Sequence, residues 1–143
     1  IDLTNSNIIM EYVEGKQIKK ILNTMSTNER TRLCHHIGRL IGSLHKNGII
    51  HGDLTTSNMI LTRSGKVYFV DFGLGEFSEE SEIRGVDLHL MKRALQSTHY
   101  KFAKKCFEAV VAGYSETVGN ETAARVLEKV SEIERRGRYI EER

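Results

Sequence analysis

His51-Gly52-Asp53-Leu54-Thr55-Thr56-Ser57-Asn58 and, a short distance on, Phe69-Val70-Asp71-Phe72-Gly73-Leu74-Gly75 are the stretches on which the fold of this chain turns. Between them, Asn58 to Leu61 and Lys66 to Val70 read as two short strands joined through Arg63-Ser64-Gly65, since apolar runs bounded by polar turn formers are strand signals. One hairpin of that length returns the chain to where it began. The spacing therefore predicts Asn58 and Asp71 side by side, with Asp53 just upstream. Aspartate and asparagine favour turns on their own account, so either stretch alone carries little weight. Both together, in this order and at hairpin spacing, with a capped helix upstream and Asp87-Leu88 downstream, make a specific pattern.

The upstream helix begins at Ser26, because Ser26 and Glu29 have the Ser-x-x-Glu spacing of a capping box. Leu33, Ile37, Leu40, Ile41 and Leu44 then fall on one face, which predicts a buried stripe. Asn47-Gly48 ends the helix, glycine accepting the left-handed conformation that closes a last turn. Before it, a short helix is expected at about 16–23, and one or two short strands at about 1–10 around Asn5-Ser6-Asn7. Downstream the pattern is helical at about 87–96, 99–116 and 121–136, the last after an Asn120 cap and with Ala123, Val126, Leu127, Val130 and Ile133 on its apolar face.

A chain of 143 residues, 39% of them hydrophobic, is long enough for one domain with its own core and too short for two ordinary ones. Its net charge of +2 gives no field that would draw nucleic acid or membrane over the whole surface, so any such contact must be local. Cys34 and Cys106 lack metal-ligand spacing and read as buried thiols of a reduced, cytoplasmic protein. No apolar run reaches the ~20 residues of a membrane span. His35, His36, His45, His89 and His99 show no ligand spacing supported by carboxylates or thiols, which argues against zinc. Because the chain opens on Ile1 and runs directly into an apolar stretch, it is expected to be the later part of a longer polypeptide, or one whose leading segment has been removed.

The two quoted stretches resemble the protein-kinase catalytic loop, His-x-Asp-Leu-x-x-x-Asn, and the metal-binding Asp-Phe-Gly. The resemblance implies an α+β, protein-kinase-like C-lobe, mostly helical with a small β-hairpin at the active site and the N-lobe nearly absent. Residues 1–15 would be the last N-lobe strand or strands and the hinge, and 16–143 the C-lobe. It implies ATP and Mg2+ as cofactors. Asn58 and Asp71 would be the hard oxygen ligands of magnesium, and Asp53 would orient the acceptor hydroxyl and take its proton. His51 and Asp87 would support the loop, His51 by packing and hydrogen bonding rather than by proton transfer. Ile9-Met10-Glu11-Tyr12-Val13-Glu14-Gly15 resembles the kinase hinge, which would put the carbonyl of Glu11 and the amide of Val13 on the adenine, Met10 at the gatekeeper position and Ile60 on the pocket floor.

In detail the Gly-Asp-Leu-Thr-Thr-Ser-Asn string, Phe69 to Gly75 and the tail Arg135-Arg136-Gly137-Arg138-Tyr139 resemble the small atypical kinase of the KEOPS (EKC) complex, the PRPK-like family related to the RIO kinases. That resemblance implies an atypical serine/threonine protein kinase with ATPase activity. Its partners would be a threonylcarbamoyl-transferase subunit and a small accessory subunit, in an assembly that makes threonylcarbamoyladenosine in tRNA. Arg135, Arg136 and Arg138 would then contact tRNA phosphates, and no membrane would be involved. Gly52 stands where many kinases have the arginine that pairs with an activation-loop phosphate, and Thr55 where many have a lysine facing the transferred phosphate, so slow turnover is expected. The glycine-rich loop, the phosphate-binding lysine and its glutamate have no place here, so the chain alone is expected to be inactive. The alternatives are a small-molecule phosphotransferase of the aminoglycoside or choline kinase type, which shares His-Gly-Asp, and a non-catalytic binding module.

Overall fold

Serine capping starts the central helix where the sequence puts it. In the computed structural model, which describes residues 14–141, helix α2 (Thr27–Lys46) has Ser26 as its N-cap. The Ser26 hydroxyl accepts the Glu29 amide at 3.2 Å and donates to the Glu29 carboxylate at 2.9 Å. The helix closes at Gly48, whose φ is +75° and whose amide donates to the carbonyl of His45. Met10, Glu11, Val13 and the strands expected at 1–10 lie outside the described residues.

The buried face of α2 differs from the expected stripe. Leu33, Ile37 and Ile41 are buried as predicted, but Leu40 and Leu44 are only half-buried, and Cys34, Gly38, Gly42 and His45 take the interior instead. The cause is helix α4 (Ala103–Val118), which lies against α2 almost backbone to backbone. A Cβ on Gly38 would stand 1.9 Å from the carbonyl oxygen of Val110, and one on Gly113 2.0 Å from that of His35. Small residues admit such close approach, and a count of large apolar side chains misses it.

Two small antiparallel sheets frame the loops. In the first, β3 (Met59–Leu61) lies between β1 (Lys16–Gln17) and β4 (Val67–Phe69), with Met59 opposite Phe69 and Leu61 opposite Val67. The expected hairpin is therefore present, one residue shorter at each outer end and, at Lys66, one residue shorter at the start of its second strand. In the second, β2 (Ile49–Ile50) pairs with β5 (Glu76–Phe77). The helix expected at 16–23 is reduced to α1 (Ile18–Ile21) and a 3-10 turn at Leu22–Thr24, because Lys16 and Gln17 pair with Leu61 and Ile60. The Gln17 side chain also donates to the carbonyl of Ser57 at 3.1 Å.

Helix α3 (Ser81–Thr98) starts six residues before the expected 87, so Asp87 lies within it and not at its entrance. Helix α5 (Asn120–Glu141) runs on through Gly137, past the expected end at about 136. Ile18, Leu22, Ile37, Ile41, Leu54, Met59, Leu88, Met91, Leu95, Val110, Tyr114, Val126 and Val130 belong to one apolar cluster, as a single domain requires. Cys34 and Cys106 are free and buried in it, as expected. Their mutual hydrogen bond and burial push the Cys34 thiol far above its ordinary pKa. Among the described residues no helix is long and apolar enough to cross a membrane.

The glycine contact makes a direct prediction. Gly38→Ala should destabilise the full-length protein by about 1–3 kcal/mol, since backbone cannot yield as a flexible side chain can. Gly137→Ala, where nothing lies within 4 Å, should be neutral or mildly stabilising. Thermal unfolding of the two variants side by side tests the contrast.

Candidate active site

Asp87, fully buried in α3, organises the loop that precedes Asp53. A carboxylate without water must be fully hydrogen-bonded. Asp87 accepts the backbone amides of His51 (3.1 Å) and Gly52 (3.0 Å), and its Oδ2 lies 2.8 Å from Nε2 of buried His45. The other nitrogen of His45 lies 2.7 Å from the hydroxyl of Tyr114 in α4. A neutral His45 that donates from Nε2 and accepts from Tyr114 satisfies every member of this chain. Burial pushes the Tyr114 phenol up, keeping it a donor. Arg84 reaches back from α3 to donate to the His45 carbonyl.

His51 is the hub. Its Nδ1 accepts the Asp53 amide at 3.1 Å, which leaves Nε2 to donate to the Val70 carbonyl at 2.7 Å. Its ring packs on Phe72 at 4.3 Å between centroids and edge-on to Phe69 at 6.0 Å. One buried imidazole thus ties the residue bearing Asp53 to the residue before Asp71. The strand register adds a second tie, since the Val70 amide donates to the Asn58 carbonyl at 2.9 Å.

Asn58 donates from its amide nitrogen to both the backbone carbonyl (3.0 Å) and the carboxylate (2.9 Å) of Asp53. Both partners are acceptors, so the NH2 end must face them and the carbonyl oxygen of the side chain turns the other way. Asp71 is exposed, and its φ of +60° is the one positive value outside glycine among the described residues. A non-glycine residue held there costs of order 1 kcal/mol, and such strain gathers at functional positions. The donor set, one carboxylate and one amide oxygen, suits magnesium, which keeps water and takes phosphate oxygens as further ligands. Among the described residues no three or more His, Cys, Asp or Glu side chains form a self-contained metal cage.

Gly52 has two reasons to be glycine. Its φ is +91°, and a Cβ would stand 2.4 Å from the Leu74 carbonyl oxygen. The segment after Asp71-Phe72-Gly73 therefore lies against the loop where a kinase arginine would otherwise project. That segment is short: Gly75 bonds back to Phe72 at 2.8 Å, Glu76–Phe77 pair with Ile49–Ile50, and α3 begins at Ser81. Leu74 and Phe77 remain exposed on it.

Sequence reasoning names His51 and Asp87 as loop supports; in the structure His51 bonds the Asp53 amide and the Val70 carbonyl, and Asp87 accepts the amides of His51 and Gly52. It misses His45, Tyr114 and His99. His45 continues the Ile37–Ile41 face of α2 toward the core, and a polar residue on an apolar face was the available signal. His99, buried where α3 ends, has Nδ1 2.6 Å from Asn23 Oδ1 and Nε2 2.8 Å from the hydroxyl of buried Thr56, so it holds the 3-10 turn Thr56–Asn58 from behind. Ile60 sits half-buried in β3 opposite Tyr68. Arg135, Arg136 and Arg138 are exposed on the last turns of α5, away from this cluster of contacts. Arg136 pairs with Glu82 at the start of α3 at 3.2 Å.

The protein kinase domain model matches residues 2–103 of this chain. Over 141 residues, 99% of it, the chain is 54% identical to the KEOPS complex subunit Bud32 of Pyrococcus abyssi, covering 64% of that protein. It is 45% identical to the "Probable bifunctional tRNA threonylcarbamoyladenosine biosynthesis protein" of Methanothermobacter thermautotrophicus and 44% identical to that of Methanobrevibacter smithii, over 99% and 97% of this chain respectively. In each of those two it spans 24% of the relative's length.

His99 also sets a pH dependence. Burial, then the nearby Arg30 and Lys19 charges, hold its imidazole below the ordinary value of 6.5. The unfolded chain therefore takes up a proton that the folded protein resists, so this part of the stability is whole above about pH 6.5 and is lost as pH falls below it. Urea unfolding of the full-length protein between pH 7.5 and 5 should show falling stability, with a shallower fall in His99→Gln.

Proposed function

This chain belongs to the protein kinase domain family, and we propose that it forms the catalytic-loop and metal-binding side of an ATP-dependent atypical kinase and ATPase that supports threonylcarbamoyladenosine formation in tRNA. The observation that carries the chemical part is the His51 ring, which links the Asp53 amide to the Val70 carbonyl and so sets the two carboxylates relative to each other. On this reading Asp53 orients an acceptor, a hydroxyl or a water, and takes its proton. Its carboxylate is steered by the Asn58 amide. Asn58 and Asp71 would hold magnesium, which would supply charge neutralisation to the nucleotide phosphates. By the hinge resemblance Ile60 would lie under the adenine, and Glu11 and Val13, which lie outside the described residues, would meet its edge. With Thr55 in place of a lysine, little positive charge from this loop reaches the transferred phosphoryl group, which favours slow turnover.

The biological part rests on the relatives named above, and the partners follow from it: a threonylcarbamoyl-transferase subunit, a small accessory subunit and tRNA, in the cytoplasm. The short segment from Leu74 to Glu80, two of whose seven residues are fixed by the β2–β5 pairing, offers little platform for a peptide substrate. That favours a regulatory ATPase over a signalling kinase. Small-molecule phosphotransfer is less favoured, because α3, α4 and α5 are joined by only a few residues and leave no insertion for a substrate pocket. Retention of Asp53, Asn58 and Asp71 argues against a passive binding module.

Asp71→Ala should abolish magnesium-dependent ATP turnover in the full-length protein with little change in melting temperature, because an exposed side chain contributes little to the core. Asp53→Ala should lower turnover while leaving nucleotide affinity within a few-fold, its role belonging to the transition state. Unchanged ATPase activity in the first variant would sink the assignment.

For the tail, Arg135, Arg136 and Arg138 changed together to alanine should weaken tRNA binding by the assembled complex, with a salt slope smaller by about 0.7–0.9 per lost phosphate contact. Because Arg136 is partly neutralised by Glu82, its share should be the smallest. The measurement is a filter-binding or fluorescence titration across a salt series.

A further inference from the structure

The outer face of α2 carries Arg32, His36, Arg39, Ser43 and Lys46, and all five are exposed. Steps of four, three, four and three residues keep side chains on one line of a helix. That line lies on the side away from His45 and the catalytic loop, about 20 Å long at 1.5 Å per residue. No acidic residue of α2 falls on it; its single carboxylate, Glu29, is engaged at the N-cap. Among the described residues Arg32, Arg39 and Lys46 have no ion-pair partner. A chain with a net charge of only +2 has thus placed three unpaired cations in a row.

The ground beside the row is concave. A hollow of about 590 Å3 is lined by His36, Arg39, Leu40, Ser43 and Lys46 of α2 with Glu116 and Thr117 of α4. A second, of about 460 Å3, continues along the same helix pair past Arg32 and Arg39 to Ala109 and Ala112. The one carboxylate in the first hollow, Glu116, is already held by His35 at 3.0 Å. The walls offer hydroxyls and small side chains, and Leu40 is the one large apolar side chain lining them.

We propose that this α2 ridge and its groove bind the phosphodiester backbone of RNA. Arginine forks suit phosphate oxygens bidentately, and hydroxyls and imidazoles are ordinary supplementary donors to phosphate and ribose. A linear array of cations beside a single leucine, Leu40, fits a uniform polyanion better than a protein partner, whose interfaces are built around clusters of buried aromatic or aliphatic side chains. The choice of tRNA as the RNA rests on the tRNA-modification reading above. The ridge is distinct from the basic tail, which sits on α5 beside the start of α3.

The test uses the full-length protein, wild type and Arg32→Ala, Arg39→Ala, Lys46→Ala combined, titrated with an unmodified tRNA transcript and separately with poly-glutamate across a salt series. The expected result is a loss of tRNA affinity of roughly tenfold or more and a salt slope smaller by about 2–3, three phosphate contacts being removed. ATPase activity and melting temperature should be unchanged, since none of the three touches the active site or the core. If the combined variant melts early, the corresponding glutamine substitutions replace it. Unchanged tRNA affinity and slope overturn the ridge proposal alone. Loss of poly-glutamate binding with tRNA binding retained also overturns it, making the ridge a protein-docking face. Absence of tRNA binding by the wild-type protein, alone and in its complex, would instead remove the tRNA-modification reading on which the choice of ligand rests.

Discussion

A buried carboxylate governs this structure. Asp87 carries no exposed surface, and its charge is tolerable only because two backbone amides and one imidazole converge on it. The two amides belong to consecutive residues, His51 and Gly52, so satisfying Asp87 fixes the backbone one residue ahead of Asp53. Having been fixed, His51 then carries the constraint outward through its two ring nitrogens. Each group in the series is held by a neighbour with one remaining hydrogen-bonding option, which is how a polar network in a dry interior specifies a single arrangement.

That network needs a rigid frame, and the frame is the α2–α4 pair. Tyr114 reaches His45 because Gly38, Gly42 and Gly113 let the two helices close to backbone contact. A wider helix pair would leave the phenol short of the imidazole and the His45 nitrogen unsatisfied. Packing that looks remote from the chemistry is therefore one step away from it. From the opposite side His99 holds Thr56, so the loop bearing Asp53 and Asn58 is gripped by buried histidines at both ends.

Gly52 and the segment after Gly73 illustrate a substitution of one constraint for another. Where a kinase arginine would read a phosphate on a long activation segment, this chain has a glycine in a left-handed conformation with the Leu74 carbonyl against it. The segment is then short, sheet-paired through Glu76–Phe77, and leads directly into α3. Its position is set by backbone packing, which gives phosphorylation little to switch.

The sequence by itself determined the catalytic-loop and Asp-Phe-Gly pattern, the hairpin between them, the start and stop of α2 and the apolar face of α5. These are local: a capping box, a glycine closing a helix, a strand pair across a short turn and a 3.6-residue period involve residues close in the chain. Only the tertiary structure decided that α2 buries Gly38 and Gly42 in preference to Leu40 and Leu44, that Lys16 and Gln17 join a sheet, that α3 starts at Ser81 with Asp87 inside it, and that His45, Tyr114 and His99 serve the loop. Each of these depends on a partner dozens of residues away. Glycine carries no hydrophobic signal, and a histidine's role is set by which acceptor faces each ring nitrogen, so neither is legible until the chain has folded.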